Sequence, residues 1–166
     1  TATLALGDAL AAALMRRKGF QKTDFAIFHP GGKLGNRLQK VADLMAKGDQ
    51  LPVVKTSTPM GEVVVTMTAA RLGTVGVVDE GGALIGVITD GDLRRHLSPA
   101  LLDQTAAKVM SADPVTIGPD MLAAEAVHIM QHNRKGVNIT AIFVVDAARQ
   151  PVGVLHIHAC LRAGVI

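Results

Sequence analysis

Gly86-Val-Ile-Thr-Asp-Gly-Asp-Leu-Arg-Arg-His-Leu97 reads as a short buried strand, a threonine, a turn carrying two aspartates, and then a helix. A second version stands much later, Gly153-Val-Leu-His-Ile-His-Ala-Cys-Leu-Arg162. The segments that these two corners close match each other element by element. A tandem repeat with a strand-to-helix corner at the same place in each half decides the fold.

Working outward from the first corner, the first repeat spans 41–97. Val41-Ala-Asp-Leu-Met45 is a short helical opening and Leu51-Pro-Val-Val54 a short strand. Thr58 and Pro59 are expected to cap and start a helix running to about Arg71, with Met60, Val63, Val64 and Met67 on its inner face. Thr74 to Val78 is a buried strand, Asp79-Glu-Gly-Gly82 a hairpin-type turn, Ala83 to Ile88 the paired strand, and Asp90 to Leu97 the closing helix. The second repeat, 106–164, follows the same order. Ala106-Ala-Lys-Val-Met110 matches Val41-Ala-Asp-Leu-Met45, and Val115-Thr-Ile117 is its short strand. Pro119 and Asp120 are expected to open a helix through Met121, Ala124, Val127, Ile129 and Met130. The hairpin Ala141–Val145, Asp146–Gln150, Val152–Leu155 and a last helix from His156 to Ala163 complete it. Residues 98–105 are a short polar linker, so the halves should pack as one unit.

Nearly half the residues are apolar (49%), yet there are four Phe and no Tyr or Trp, so the core must be aliphatic. Val/Ile clusters alternate with Ala/Leu/Met-rich helical runs, the signature of an α/β class (α+β in detail). The net charge is only +3, with scattered basic residues apart from Arg16-Arg17-Lys18 and Arg94-Arg95. Without aromatic stacking platforms or a basic stripe, nucleic acid is not an expected partner. The one cysteine, Cys160, excludes an internal disulfide and fits a reducing compartment, hence a cytoplasmic location. No apolar run reaches the ~20 residues of a membrane span, and no signal peptide is visible.

The first forty residues do not belong to the repeat. Thr3 to Lys18 has apolar residues at helical spacing (Leu6, Leu10, Ala13, Leu14) and is stopped by Gly19. Such a helix needs a partner surface. Gln21 to Phe28 reads as a short helix with Thr23 as its N-cap. His29-Pro-Gly-Gly-Lys-Leu-Gly35 follows. Its glycines let the backbone turn sharply and expose amide N–H groups that suit a phosphate, but taken alone a turn with an incidental histidine is the plainer reading. The chain opens without Met, already in helical pattern, and is read as a piece of a longer protein.

The paired order of elements and the G-V-I-T-D-G-D-L corner resemble a pair of cystathionine-β-synthase (CBS) domains over 41–164. The resemblance implies two β-α-β-β-α repeats packed with pseudo-twofold symmetry. Thr1-Ala-Thr-Leu-Ala-Leu-Gly-Asp-Ala-Leu10, His29-Pro-Gly-Gly-Lys-Leu-Gly35, Thr89-Asp-Gly-Asp-Leu-Arg-Arg95, Leu155-His-Ile-His158 and Leu161-Arg-Ala-Gly-Val165 together resemble the C-terminal half of the D-arabinose-5-phosphate isomerase family. In that family a sugar-isomerase (SIS) domain precedes the CBS pair, and ribulose 5-phosphate is converted to arabinose 5-phosphate for Kdo and lipopolysaccharide synthesis. The resemblance implies that residues 1–40 are the tail of the SIS domain and its linker, that His29 serves the isomerase site of the parent enzyme, and that this chain alone is inactive. It also implies homo-oligomers, a dimer of CBS pairs and a tetramer of the whole enzyme.

The resemblance further places a ligand cleft between the repeats, with Thr89 and Asp92 holding a ribose. A threonine hydroxyl and a carboxylate at a helix start are suitable partners for sugar hydroxyls. Asp90 is expected to be the N-cap of the closing helix, and capping is equally open to Asp92. The matching positions in the second repeat are His156 and Ala159; alanine cannot hold a sugar, so the two clefts should be unequal. Arg94, Arg95 and Arg162 stand on or near the closing helices and suit phosphate or carboxylate. The expected ligand is a regulatory nucleotide or a sugar nucleotide such as CMP-Kdo, with no cofactor required. The alternative is a purely structural module that holds enzyme subunits together. No metal is expected: His128 and His132 share a helix face and His156 and His158 are close in sequence, but a zinc site needs three or four converging ligands.

Overall fold

The structure is a computed structural model that describes residues 2–19, 38–48 and 51–166. The expectations for Gln21–Phe28 and for the His29-Pro-Gly-Gly segment lie outside the described residues.

Helix α1 (Ala2–Arg17) ends where Gly19 takes φ +64°. No residue of α1 is buried. The first repeat consists of α2 (Val41–Leu44), β1 (Val53–Lys55), α3 (Met60–Ala70), β2 (Thr74–Val78), β3 (Leu84–Thr89) and α4 (Asp90–Arg95). A 3-10 turn, Leu101–Asp103, lies in the linker. The second repeat consists of α5 (Ala106–Val109), β4 (Ser111–Ala112), β5 (Thr116–Ile117), α6 (Ala123–Gln131), β6 (Ala141–Val145), β7 (Pro151–His156) and α7 (Ile157–Arg162).

The two helix starts differ from expectation. Pro59 is itself the N-cap of α3, and the Thr58 hydroxyl accepts from Lys55 N instead of capping. Helix α6 begins at Ala123, after Leu122, and Asp120 accepts from Lys40 Nζ at 2.8 Å instead of capping it. Helix α3 ends on Arg71 in the left-handed region (φ 55°), its N–H bonding back to Met67 O.

The sheets of the two repeats agree in pairing and register. In each, a short parallel strand flanks an antiparallel hairpin: β1 pairs with β2 through Val53↔Gly76, and β5 with β6 through Thr116↔Phe143. The hairpins place Thr74 opposite Thr89 and Ala141 opposite His156, with the register shift at the same point, Val77/Val78 and Val144/Val145. Apolar β-branched residues fill the central strands, which are covered on both faces. Met60, Val63 and Met67 of α3 are fully or nearly buried, whereas Val64 is only half-buried.

The opening segment of each repeat crosses to the other one. Ser111 and Ala112 (β4) pair with β3, and Ala46 bridges Val154 of β7. Val41 N donates to Met121 O and Ala42 N to Pro119 O; at the matching positions Ala106 N donates to Thr58 O and Ala107 N to Thr56 O. Val41, Leu44 and Met45 thereby join the second repeat's core around Met130, Ile142, Val144 and Leu155. Leu101, Ala106, Val109 and Met110 join the first repeat's core around Met60, Val63, Val75 and Ile88. Leu84, Phe143 and Val154 are the buried centre of a third cluster that both repeats share. Each side chain of this size stabilises by about 1.5–3 kcal/mol on burial, so the crossed segments bind the halves firmly.

Candidate functional site

The corner Ile88-Thr-Asp-Gly-Asp92 turns from β3 into α4 with Thr89, not Asp90, as the N-cap. Thr89 has extended φ/ψ, and its hydroxyl oxygen accepts from Asp92 N at 3.3 Å. The Asp92 carboxylate returns the bond: Oδ2 accepts from Thr89 N at 2.8 Å and from Thr89 Oγ1 at 2.6 Å. This reciprocal capping box satisfies the free N–H groups of the first turn. Asp90 stays exposed.

Asp92 does more than cap. Its Oδ1 accepts from Ser111 Oγ at 2.8 Å and from Arg95 Nη2 at 2.5 Å. Ser111 belongs to the crossed β4, so Asp92 joins the corner of one repeat to the opening segment of the other. The residue is 2% exposed. Burial pushes its carboxyl up, but the bonds from Thr89, Ser111 and Arg95 outweigh it and hold the carboxyl below the usual range.

Thr89 and Asp92 line the wall of a cleft of about 830 Å³ between the two repeats. Arg94 and Arg95 also line it, as does His156 from the second repeat. Arg162, at the end of α7, is not among the lining residues. Sequence reasoning missed three contributors: Arg71 just after α3, Ser111 on β4, and Lys135 on the loop after α6. The signal for Lys135 was legible as a length difference, because residues 132–140 join helix to strand in the second repeat where 71–73 suffice in the first. Four cations (Arg71, Arg94, Arg95, Lys135) and two carboxylates (Asp90, Asp92) face the cleft. One of those carboxylates is already occupied by Arg95. The balance favours an anion, and Thr89 and Ser111 add hydroxyls beside it.

His156 occupies the place of Thr89 in the second repeat and caps α7 in its own way: Nδ1 accepts from His158 N at 3.1 Å. An accepting Nδ1 carries no proton, so the N–H of the neutral ring is on Nε2. Burial, then the neighbouring His158 and Arg162, push its pKa down and favour that neutral form. A second hollow, of about 600 Å³, is lined by Ala46, Leu51, Pro52, Val65, Thr66, Ala69, Ala70 and Leu72. It carries no charged side chain, in contrast to the first cleft.

The rings of His128 and His132 stack at 4.7 Å, and those of His156 and His158 meet edge-on at 4.8 Å. Among the described residues no three His, Cys, Asp or Glu side chains converge as metal ligands. Among them, too, no helix is long and apolar enough to cross a membrane. His29 lies outside the described residues.

The model of the CBS domain matches this chain twice, over residues 41–99 and 106–165. The chain belongs to the CBS-domain family. As a CBS pair it is similar over its whole length to Arabinose 5-phosphate isomerase KdsD of Pseudomonas aeruginosa, at 47% identity and covering 51% of that protein. It is 40% identical to KdsD of Escherichia coli K12, covering 50% of it, and 40% identical to the uncharacterized protein RP505 of Rickettsia prowazekii, covering 49%. The chain thus spans about half the length of the curated relatives it matches. Among solved structures, 76% of the chain superposes on 96% of CBSX2 in complex with AMP (TM-score 0.64, 20% identity). A CBS domain-containing protein from Bacillus anthracis gives TM-score 0.65 at 18% identity over 79% of this chain and 96% of that one. The CBS domain pair of MJ0100, solved with 5'-methylthioadenosine and S-adenosyl-L-methionine, gives 0.63 at 23% identity over 75% and 94%. At these identities the likeness concerns the fold.

Proposed function

We propose that this CBS pair is the regulatory module of an arabinose 5-phosphate isomerase and binds a nucleotide or sugar nucleotide in the cleft at Thr89 and Asp92. One observation carries the reading: a cleft between the repeats joins hydroxyl and carboxylate partners suited to a sugar (Thr89, Asp92, Ser111) to a surplus of cations suited to phosphate. The names of the relatives supply the enzyme, and the AMP, methylthioadenosine and S-adenosylmethionine of the solved structures supply the ligand class. CMP-Kdo, the activated end product of the pathway fed by that isomerase, carries ribose, phosphate and carboxylate and is the regulatory ligand that pathway logic favours. Since Asp92 already holds Arg95 and Ser111, a ribose engages it by displacing one of these donors.

Calorimetric titration of the chain with AMP, CMP and CMP-Kdo tests the proposal. Heat with at least one of them, weakened by Arg94→Ala, is expected; absence of heat with all three overturns it. The second reading, a module that only holds enzyme subunits together, draws on the exposed apolar side chains of α1, Leu4, Leu6, Leu10 and Leu14. It predicts no ligand heat and a change of oligomer size when those leucines are replaced by glutamine.

A further inference from the structure

Of the cations that line the cleft, Lys135 is held on the short strand β4 and Arg95 on Asp92, a neighbour of that strand. Arg95 bonds Asp92, whose Oδ1 also takes the Ser111 hydroxyl, and Lys135 Nζ donates to Ala112 O at 2.8 Å. Ser111 and Ala112 are the whole of β4. The third residue of this run, Asp113, pairs with Arg134 at 2.8 Å. The loop after α6 is therefore fastened across the cleft's edge at two successive positions.

The two fastenings differ in kind. Arg134 faces a carboxylate, and its charge is answered. Lys135 faces a neutral carbonyl, and among the described residues it makes no ion pair. An exposed ammonium on a single neutral acceptor gains by moving to an anion, because charge-assisted bonds are about twice as strong as neutral ones. The loop has the internal order to stay in place while that side chain turns. Asn133 Nδ2 donates to Val137 O at 2.6 Å, its Oδ1 accepts from Lys135 N at 3.0 Å, and Gly136 takes φ +64° to close the turn. The first repeat has no counterpart of this loop: residues 71–73 are too few to form one, and the hollow bordered by Leu72 carries no charged side chain.

We propose that residues 132–140 form a cationic strap whose Lys135 swings from Ala112 O of β4, as Arg95 swings from Asp92, onto the phosphate of the bound ligand, so that the cleft takes phosphorylated nucleosides in preference to the nucleosides themselves. The inference rests on the nucleotide-binding reading above and adds which residues read the phosphate. Arg134 is the anchor, Lys135 the moving arm, and Asp92 remains with the sugar and Ser111 after Arg95 leaves.

The test compares AMP with adenosine and CMP with cytidine on the wild-type chain and on Lys135→Ala and Lys135→Arg. The wild type should bind the better nucleotide about ten-fold more tightly than its nucleoside. Lys135→Ala should erase most of that ratio with the nucleoside affinity unchanged, and Lys135→Arg should retain it. Hydrogen exchange should show amides of residues 132–140 slowed by the nucleotide and not by the nucleoside. A nucleoside that binds as tightly as its nucleotide, or a Lys135→Ala chain with an unchanged ratio, overturns the strap and leaves nucleotide binding standing. If neither nucleosides nor nucleotides bind, the strap falls, and the ligand-binding reading falls with it only when CMP-Kdo gives no heat either.

Discussion

The ring of Phe143 fills the space that a side chain would need at Gly76: a Cβ there would stand 2.9 Å from ring atoms Cε1 and Cζ, and 2.8 Å from Leu84 Cδ1. These two residues hold the same register position in the two repeats, each paired with the short parallel strand of its own half. The pseudo-twofold packing thus carries a large residue on one side and none on the other. Gly76→Ala should destabilise the chain by about 1–3 kcal/mol through overpacking, and Phe143→Ala by about 3–5 kcal/mol through the cavity it leaves. The double variant Gly76→Ala/Phe143→Ala should cost less than the two single changes added together, read by denaturant unfolding. Strict additivity would mean that the two positions do not share the space.

Asp92 should govern acid stability. Its carboxyl is held below the ordinary value of 3.8 in the folded chain, so the folded state binds fewer protons than the unfolded one. Its contribution is complete above that value and is lost as pH falls through the lower, folded value. Asp92→Asn should cost about 1–3 kcal/mol at neutral pH, and the gap to wild type should close below about pH 4. Unfolding curves across this range measure it.

His156 makes the opposite half of the molecule sensitive at milder pH. Its folded pKa lies below the usual 6.5, so acidification protonates the unfolded chain first and stability drops as pH falls from that value. His156→Thr, which installs the capping residue of the first repeat, should remove this drop while preserving the N-cap of α7. Melting temperatures at successive pH values should show the two chains parting only below about pH 6.5.

Thr89→Ala removes the N-cap of α4 and one of the donors to Asp92. A cost of about 0.5–2 kcal/mol is expected, and Thr89→Ser should recover most of it. Equal losses for alanine and serine would show that the methyl group, not the hydroxyl, matters here.

Much of this was legible in the sequence because it is local. The two corners, the hairpins and the helix–strand order follow from periodicity and turn residues, and the resemblance of the first corner to CBS pairs marked Thr89 and Asp92. The partners of those residues were not legible. Thr89 took the cap from Asp90 because only Thr89 is matched three residues on by a carboxylate that can answer it. Ser111 is nineteen residues from Asp92, and Lys40 eighty from Asp120, so nothing in either neighbourhood announces the bond. The crossing of the opening segments is written in backbone hydrogen bonds, which every residue type can make.

That crossing bears on how such a molecule can be cut. A half released by cleavage in the linker would carry an opening segment fitted to a core it no longer has, and would lack the segment that seals its own. Neither piece should fold stably by itself. The smallest transplantable part is the whole pair, which should melt in a single cooperative step and, when grafted onto another enzyme, must travel with everything from Gln39 onward.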